Sequence, residues 1–100
     1  MGRRVIATAP VAKYTDLQNL TGKQRALAEL LESKANFCVT DSEIAAWLFK
    51  ELEPTPEQMA YVYVLVHRLR MKGHKLGVEA TIVRSHTRGY RLVTADAKAA

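Results

Sequence analysis

The sequence has little of what several functional classes require. It contains one cysteine in 100 residues, which excludes an internal disulfide and makes a cytoplasmic location the expectation. No apolar run approaches the roughly 20 residues of a membrane-spanning helix, and the first residues lack the apolar segment and cleavage site of a signal peptide. Without such a run we expect no membrane partner. The three histidines and the cysteine are not spaced as metal ligands, so we expect no metal site either.

Catalytic arrangements are missing as well. No Ser/His/Asp, Cys/His or paired-carboxylate pattern falls on a plausible pocket, and Cys38 lies in an apolar run that favours a structural role. Apart from an Ala-rich tail at 95–100, the sequence has neither internal repeats nor low-complexity tracts. We therefore expect a binding protein that is not an enzyme and needs no cofactor.

What the sequence does have is an uneven distribution of positive charge. The net charge is +5, with +3 in residues 1–13, −4 in 14–57 and +6 in 58–93. A basic first segment and a basic last third indicate a surface for a polyanion built from these two regions. A solvated basic face without a partner is the alternative that charge alone leaves open.

Three capping boxes divide the middle of the chain into helices. Thr21, Thr40 and Thr55 are each followed three residues later by Gln or Glu, a pattern that satisfies two backbone N–H groups at a helix start. The predicted helices span about 22–33, 41–52 and 56–72. The second ends before Pro54, since proline disfavours the helical region for the residue before it, and the third stops at Gly73.

Short β-prone runs surround these helices. The apolar run 37–39 suits one small strand, and the runs 80–83 and 90–93 flank a polar, turn-forming stretch and predict a β-hairpin. Gly89 is expected to serve the geometry of that turn. Strands at 4–7 and 11–14, or a helical turn beginning at Thr15, are alternatives for the first twenty residues.

The order of these elements indicates the fold class. One hundred residues allow a single domain, and three helices followed by a hairpin, with a short connection at 53–55, are typical of a winged helix-turn-helix. We predict an α+β, mainly α domain over residues 20–93. A basic arm or short strands, forming at most a shortened N-terminal sheet, are expected at 1–19, and a disordered tail at 94–100.

The third predicted helix has an unusual outer face. Met59, Val62, Val66 and Leu69 recur with helical spacing and predict a buried stripe. The opposite face has no acid after Glu57 and carries small, apolar, aromatic and cationic residues. Those residues are Ala60, Tyr61, Tyr63, Val64, His67, Arg68, Arg70, Met71 and Lys72.

That composition suits the major groove of duplex DNA. Arg68 and Arg70 are suited to phosphates or guanine, tyrosine hydroxyls to phosphates, and Val64 to thymine methyl groups. Burial of Tyr61, Tyr63 and Val64 against the N-terminal segment or a dimer partner is the alternative interpretation.

The hairpin turn supplies a second predicted contact. Arg84, His86, Thr87 and Arg88 make a cationic, hydrogen-bonding loop suited to the DNA backbone or minor groove. Strand alternation directs Tyr90 and Leu92 to the core and Arg91 and Val93 to the other face.

Two segments carry a resemblance to a known family. Residues 62–70, VYVLVHRLR, followed by GYRL at 89–92, resemble the C-terminal effector domain of OmpR/PhoB-type response regulators over about residues 20–93. The resemblance implies sequence-specific duplex binding through the third helix and the wing, often as tandem copies on direct repeats. By position, it implies that Val64 contacts bases, that Arg68 contacts bases or phosphate, that Arg70 contacts phosphate and that the 84–88 turn is the wing contact.

The chain also departs from that family. Tyr63 and Leu65 occupy positions that are usually polar, and Thr87 stands where a glycine is common, so base preference does not transfer. The family's four-stranded N-terminal sheet needs more residues than precede the first helix. With no receiver domain expected, the chain is more similar to stand-alone winged-helix proteins of bacterial and bacteriophage genomes.

The sequence thus predicts a small transcriptional regulator that binds double-stranded DNA, as a homodimer or as tandem copies if it self-associates. A protein-interaction winged helix is the alternative, favoured by the apolar residues Tyr61, Tyr63, Val64 and Met71. Binding of single-stranded nucleic acid is a third option, although the aromatic residues are not interleaved on a sheet as stacking platforms.

Overall fold

Three α-helices and a three-stranded antiparallel sheet make up the described part of the protein. The computed structural model describes residues 13–85, 88–94 and 97. Its elements are a 3₁₀ helix (Tyr14–Asp16), α1 (Gly22–Ser33), β1 (Val39–Thr40), α2 (Asp41–Phe49), α3 (Pro56–Leu76), β2 (Thr81–Ser85) and β3 (Gly89–Val93). The predicted strand 4–7, the first half of 11–14 and most of the predicted tail lie outside the described residues.

All three predicted helix starts are confirmed. Thr21, Thr40 and Thr55 each accept the backbone N–H of the third helical residue, whose side chain in turn accepts the N–H of the cap. Each box satisfies two N–H groups that have no partner within the helix, and losing such a cap typically costs about 1 kcal/mol. The start of each helix is therefore set by residues that are local in sequence.

The predicted end of α2 is wrong. The helix stops at Phe49, because Lys50 adopts a left-handed conformation (φ 57) while its N–H still donates to the Ala46 carbonyl. A lysine is not the residue that usually ends a helix this way, since glycine takes that conformation at lower cost. Leu52, predicted inside the helix, is 99% exposed in the connection to α3.

The predicted end of α3 is also wrong. The helix runs through Gly73 to Leu76, and Gly77, with φ 79, is the left-handed residue that ends it. Gly73 is buried within the helix, where a Cβ would collide with the ring of Tyr14. Gly73 therefore permits a close approach between α3 and the 3₁₀ helix.

The sheet has the order β1-β3-β2, and both pairs are antiparallel. The hairpin strands extend slightly beyond the predicted runs, with β2 reaching Ser85 and β3 beginning at Gly89. In the predicted strand 37–39 only Val39 is in β1, where it pairs with Tyr90. Phe37 is largely exposed and Cys38 is exposed too, but the Cys38 Sγ lies beside Gly89, 2.7 Å from where a Cβ would stand. The structural role expected for Cys38 stays a prediction.

In the turn of the hairpin, the residue with a left-handed conformation is Arg88 and not Gly89. Arg88, with φ 63, takes the left-handed conformation, and its N–H donates to the Ser85 carbonyl at 3.2 Å. Gly89 does not have a positive φ. A Cβ there would instead collide with the Val39 carbonyl oxygen, so Gly89 allows β1 to pair closely with β3.

The hydrophobic core lies where α3 meets α1, α2 and the sheet. The predicted stripe of α3 is confirmed at Val62, Val66 and Leu69, while Met59 is half-buried. Leu65, noted above as standing at a usually polar position, is buried as well. The largest fully buried side chains are Tyr90, Leu27, Leu31, Ile44, Leu69, Ile82, Leu92, Val39, Val62 and Val66.

The core also begins earlier in the chain than the predicted boundary at residue 20. Tyr14 and Leu17 are buried within it, and each large apolar side chain removed from water contributes about 1.5–3 kcal/mol. Residues from Tyr14 onward are thus part of the same packed body as the helices.

These elements give an α+β, mainly α fold with a winged-helix layout. The second and third helices form the helix-turn-helix, and the β2–β3 hairpin, which we call the wing, follows α3. Among the described residues, none of the helices combines the length and apolar character needed to cross a membrane.

Candidate nucleic-acid interface

A groove between α3 and the wing gathers residues from three parts of the fold. We call it the α3–wing groove. Its lining residues are Thr40, Asp41, Ser42, Met59, Ala60, Tyr63, Arg70, Arg84, Arg88 and Tyr90. Arginines from α3 and from the wing, predicted separately from a helix pattern and a turn pattern, therefore line one concave surface.

The exposed face of α3 continues from this groove. Ala60, Tyr63, His67 and Arg70 are exposed and Val64 is half-buried. The rings of Tyr63 and His67 are stacked, with centroids 6.5 Å apart and planes 14° from parallel. Because no acid occurs in α3 after Glu57, this face combines apolar and aromatic surface with positive charge.

The opposite edge of α3 carries three of the other predicted site residues. Tyr61 is 38% exposed and its ring centroid lies 6.1 Å from that of Phe49 in α2. Arg68 follows Tyr61 by two helical turns on the same edge and is exposed. These residues lie on the α2 side of the exposed face, away from the wing.

Lys72 belongs to this edge but does not join the groove. Its Nζ donates to the Asn19 carbonyl at 2.6 Å and to Gln24 Oε1 at 3.1 Å. These contacts hold the ammonium group against the start of α1. Lys72 therefore lies apart from the groove residues, with its charge engaged by the N-terminal segment, and its predicted contact with DNA stays a prediction.

Arg84 is held in a defined position inside the α3–wing groove. Its two terminal nitrogens donate to the two carboxylate oxygens of Asp41, at 2.9 and 3.2 Å. Its Cζ lies 4.7 Å from the centroid of the Tyr90 ring. Hydrogen bonding to the Asp41 carboxylate raises the pKa of Arg84, and burial raises the pKa of Tyr90, which keeps that phenol neutral.

The turn end of the wing is attached to the start of α2 by backbone contacts as well. The Asp41 N–H donates to the Arg88 carbonyl at 3.0 Å, and Thr40 is opposite Gly89 in the β1–β3 register. The wing is consequently joined to the helix-turn-helix at both Arg88 and Gly89. These contacts fix the backbone position from which the exposed Arg88 side chain extends.

Asp41 is part of this site, although no sequence pattern indicates it. The pattern that begins at Thr40 predicts a helix start only, and an acid in the first turn is explained by the helix dipole alone. Its partner Arg84 lies 43 positions later, so no local pattern could have revealed the pair.

The structure brings five of the predicted site residues together in the α3–wing groove: Ala60, Tyr63, Arg70, Arg84 and Arg88. Val64 and His67 lie on the adjoining face, and Tyr61 and Arg68 on the far edge. His86 and Thr87 lie outside the described residues. Within the described part of the chain, no three His, Cys, Asp or Glu side chains are grouped so that they could hold a metal ion.

Comparisons of the chain with family models, with curated proteins and with solved structures gave no match. The resemblance to OmpR/PhoB-type effector domains stays a prediction drawn from the motifs in α3 and β3.

Proposed function

We propose that this protein binds double-stranded DNA in a sequence-specific manner and acts as a small cytoplasmic transcriptional regulator. The α3–wing groove carries the proposal, because arginines from two separate elements converge there beside a helix face without acids. In this proposal α3 enters the major groove and the wing lies along the backbone or in the minor groove.

The dimensions of α3 support this role. The major groove of B-DNA is about 12 Å wide and admits an α-helix. With 21 residues and a rise of about 1.5 Å per residue, α3 is long enough to carry contacts beyond the base-reading segment. Ala60 and Val64 are small and apolar, which suits the centre of such a contact, where the helix approaches base edges.

Cations at both edges of that centre suit the two phosphate strands that border the major groove. Arg70 and Arg88 stand on the wing side, and Arg68 stands on the α2 side. Phosphate contacts from both edges would fix the register of the helix, while the residues between them would read the bases. Base contact by Arg68 remains the implication of the family resemblance.

Selection of bound oligonucleotides from a random pool tests the proposal most directly. We expect an enriched motif, and its repetition would reveal binding by a homodimer or by tandem copies. With about four to six phosphates neutralised, log affinity should fall against log salt with a slope of roughly −4 to −5. Recovery of no motif, together with a nearly flat salt dependence, would rule the proposal out.

Two substitutions test the assignment of roles within the surface. Arg68→Ala should cost about 1–3 kcal/mol of binding and relax the selected motif if this side chain reads a base, whereas Arg88→Ala should weaken binding equally for all sequences. Unchanged duplex affinity in both variants would show that the surface is wrongly assigned.

A protein-interaction module is the second candidate, and a specific observation favours it. Trp47 is half-exposed and Leu52 is fully exposed on the α1–α2 side of the domain, near Leu30 and Ala46. Exposed apolar side chains gathered in this way are typical of protein contacts. This function predicts weak duplex binding with a shallow salt dependence, so the same titration distinguishes the two.

A further inference from the structure

A carboxylate inside the proposed DNA surface needs an explanation. Asp41 lines the α3–wing groove and its side chain is 25% exposed, while that of its partner Arg84 is 49% exposed. A negative charge near DNA phosphates is repulsive, and its pairing with Arg84 removes one cation from backbone binding. The groove would bind any duplex more tightly without Asp41.

The geometry gives Asp41 a second effect, which is to immobilise Arg84. Asp41 engages both terminal nitrogens of the guanidinium group, and the Cζ of that group lies 4.7 Å from the centroid of the Tyr90 ring. The guanidinium group has five N–H donors in a fixed fork, so donors remain for one further partner in a fixed direction. An arginine held in this way cannot follow a phosphate that lies elsewhere.

Asp41 is itself held in place by the backbone. It is the first residue of α2, and its own N–H donates to the Arg88 carbonyl. The pair therefore joins the start of the helix-turn-helix to the wing, and it stands between the two elements proposed to contact DNA.

We propose that Asp41 is a specificity-determining positioning residue, which restrains Arg84 and suppresses non-specific binding to the DNA backbone. This inference rests on the proposed function. In this inference Asp41 raises the ratio of specific to non-specific affinity, and the ability to bind duplex DNA does not depend on it.

The test compares Asp41→Asn with the intact protein on a selected duplex and on a duplex of unrelated sequence. Releasing Arg84 adds about one phosphate contact, so the log–log salt slope for unrelated DNA should steepen by about 0.9. The ratio of the variant's affinity to that of the intact protein for unrelated DNA should accordingly decrease by about threefold between 50 and 200 mM salt. Affinity for the selected duplex should rise less, so the specificity ratio should fall.

Glu43→Gln is the matched control. It removes the same charge from the first turn of α2, but on the side where Glu43 pairs with Lys34 at 3.5 Å, outside the groove. We expect it to leave the salt slope unchanged. An equal response of Asp41→Asn and Glu43→Gln would overturn the inference, because it would reduce the role of Asp41 to net charge.

A second arm covers the case in which Asp41→Asn unfolds the protein. Arg84→Gln removes the cation and exposes the Asp41 carboxylate, so non-specific affinity should fall below that of the Arg88→Gln variant, which leaves Asp41 paired. Where Asp41→Asn does fold, it should no longer steepen the slope in the Arg84→Gln background. If the intact protein binds no duplex, the proposed function fails; if it binds and Arg84→Gln equals Arg88→Gln, only this inference fails.

Discussion

The two ends of the proposed DNA surface are fastened to the rest of the domain in different ways. At the wing junction, Gly89 brings the backbone of β3 against the backbone of β1, with Val39 as its neighbour. At the helix junction, Gly73 of α3 meets the side chain of Tyr14. Backbone against backbone leaves no room for adjustment, whereas a ring can rotate or shift. The wing junction should therefore be the less tolerant of the two.

Gly89→Ala should have the largest effect. The added methyl group would strike the Val39 carbonyl and approach the Thr40 Cα at 2.9 Å, so a strand must move, and we expect a loss of about 3 kcal/mol or more. Urea denaturation measures this loss. Gly22→Ala is the control, because nothing lies within 4 Å of its Cβ position, and a similar loss there would contradict the steric explanation.

Gly73→Ala should cost less, about 1–3 kcal/mol, because the Tyr14 ring can move aside. When Tyr14 is replaced by Ala, the same change should become stabilising, since alanine is better than glycine within a helix by about 1 kcal/mol. A double-mutant cycle of unfolding free energies measures the coupling. Equal costs in both backgrounds would show that the ring is not the obstacle.

Arg88→Gly should separate stability from binding at the wing junction. Arg88 has φ 63, so glycine should stabilise the fold by about 0.5–1 kcal/mol, while loss of the cation should flatten the salt slope by about 0.9. Thermal denaturation measures the change in stability, and a binding titration at several salt concentrations measures the change in slope. Arg91→Gly, within β3, should instead destabilise, and a loss of stability in both variants would contradict this account of the turn.

The smallest expected effect concerns the cap of α2, next to the wing junction. Hydrogen bonds from the Thr40 backbone and side chain hold the pKa of Glu43 below its ordinary value of 4.5. A folded-state pKa that is lowered contributes stability above pH 4.5, and this contribution is lost as pH falls through the folded value. At pH values below 4.5, the melting temperature should therefore decrease as the pH falls. Glu43→Gln should make that decrease smaller. A parallel pH profile in the variant would assign the acid sensitivity to other carboxyl groups.

Much of the fold was predictable because its signals are local. The caps at Thr21, Thr40 and Thr55 act within one helical turn, and the helical period places Val62 and Arg68 on opposite sides of α3. For the same reason the α3 residues of the candidate site could be predicted before any contact was known.

What could not be predicted depends on contacts between distant segments. Nothing near Lys50 in sequence indicates a left-handed lysine. Gly73 is a residue type expected at a helix end, but it lies within α3 against Tyr14, 59 positions earlier. The Lys72 side chain contacts Asn19. Asp41 acquires its place in the groove only through Arg84. In each case a tertiary partner decides between two locally acceptable conformations.

The indole of Trp47 donates to the Ala26 carbonyl at 3.0 Å and joins α2 to α1. It is the chain's single tryptophan, and it does not line the α3–wing groove. The protein thus carries a native fluorophore whose emission reports on the packing of the helical body and is remote from the proposed DNA surface. Fluorescence can follow unfolding in every variant above while a labelled duplex reports binding independently.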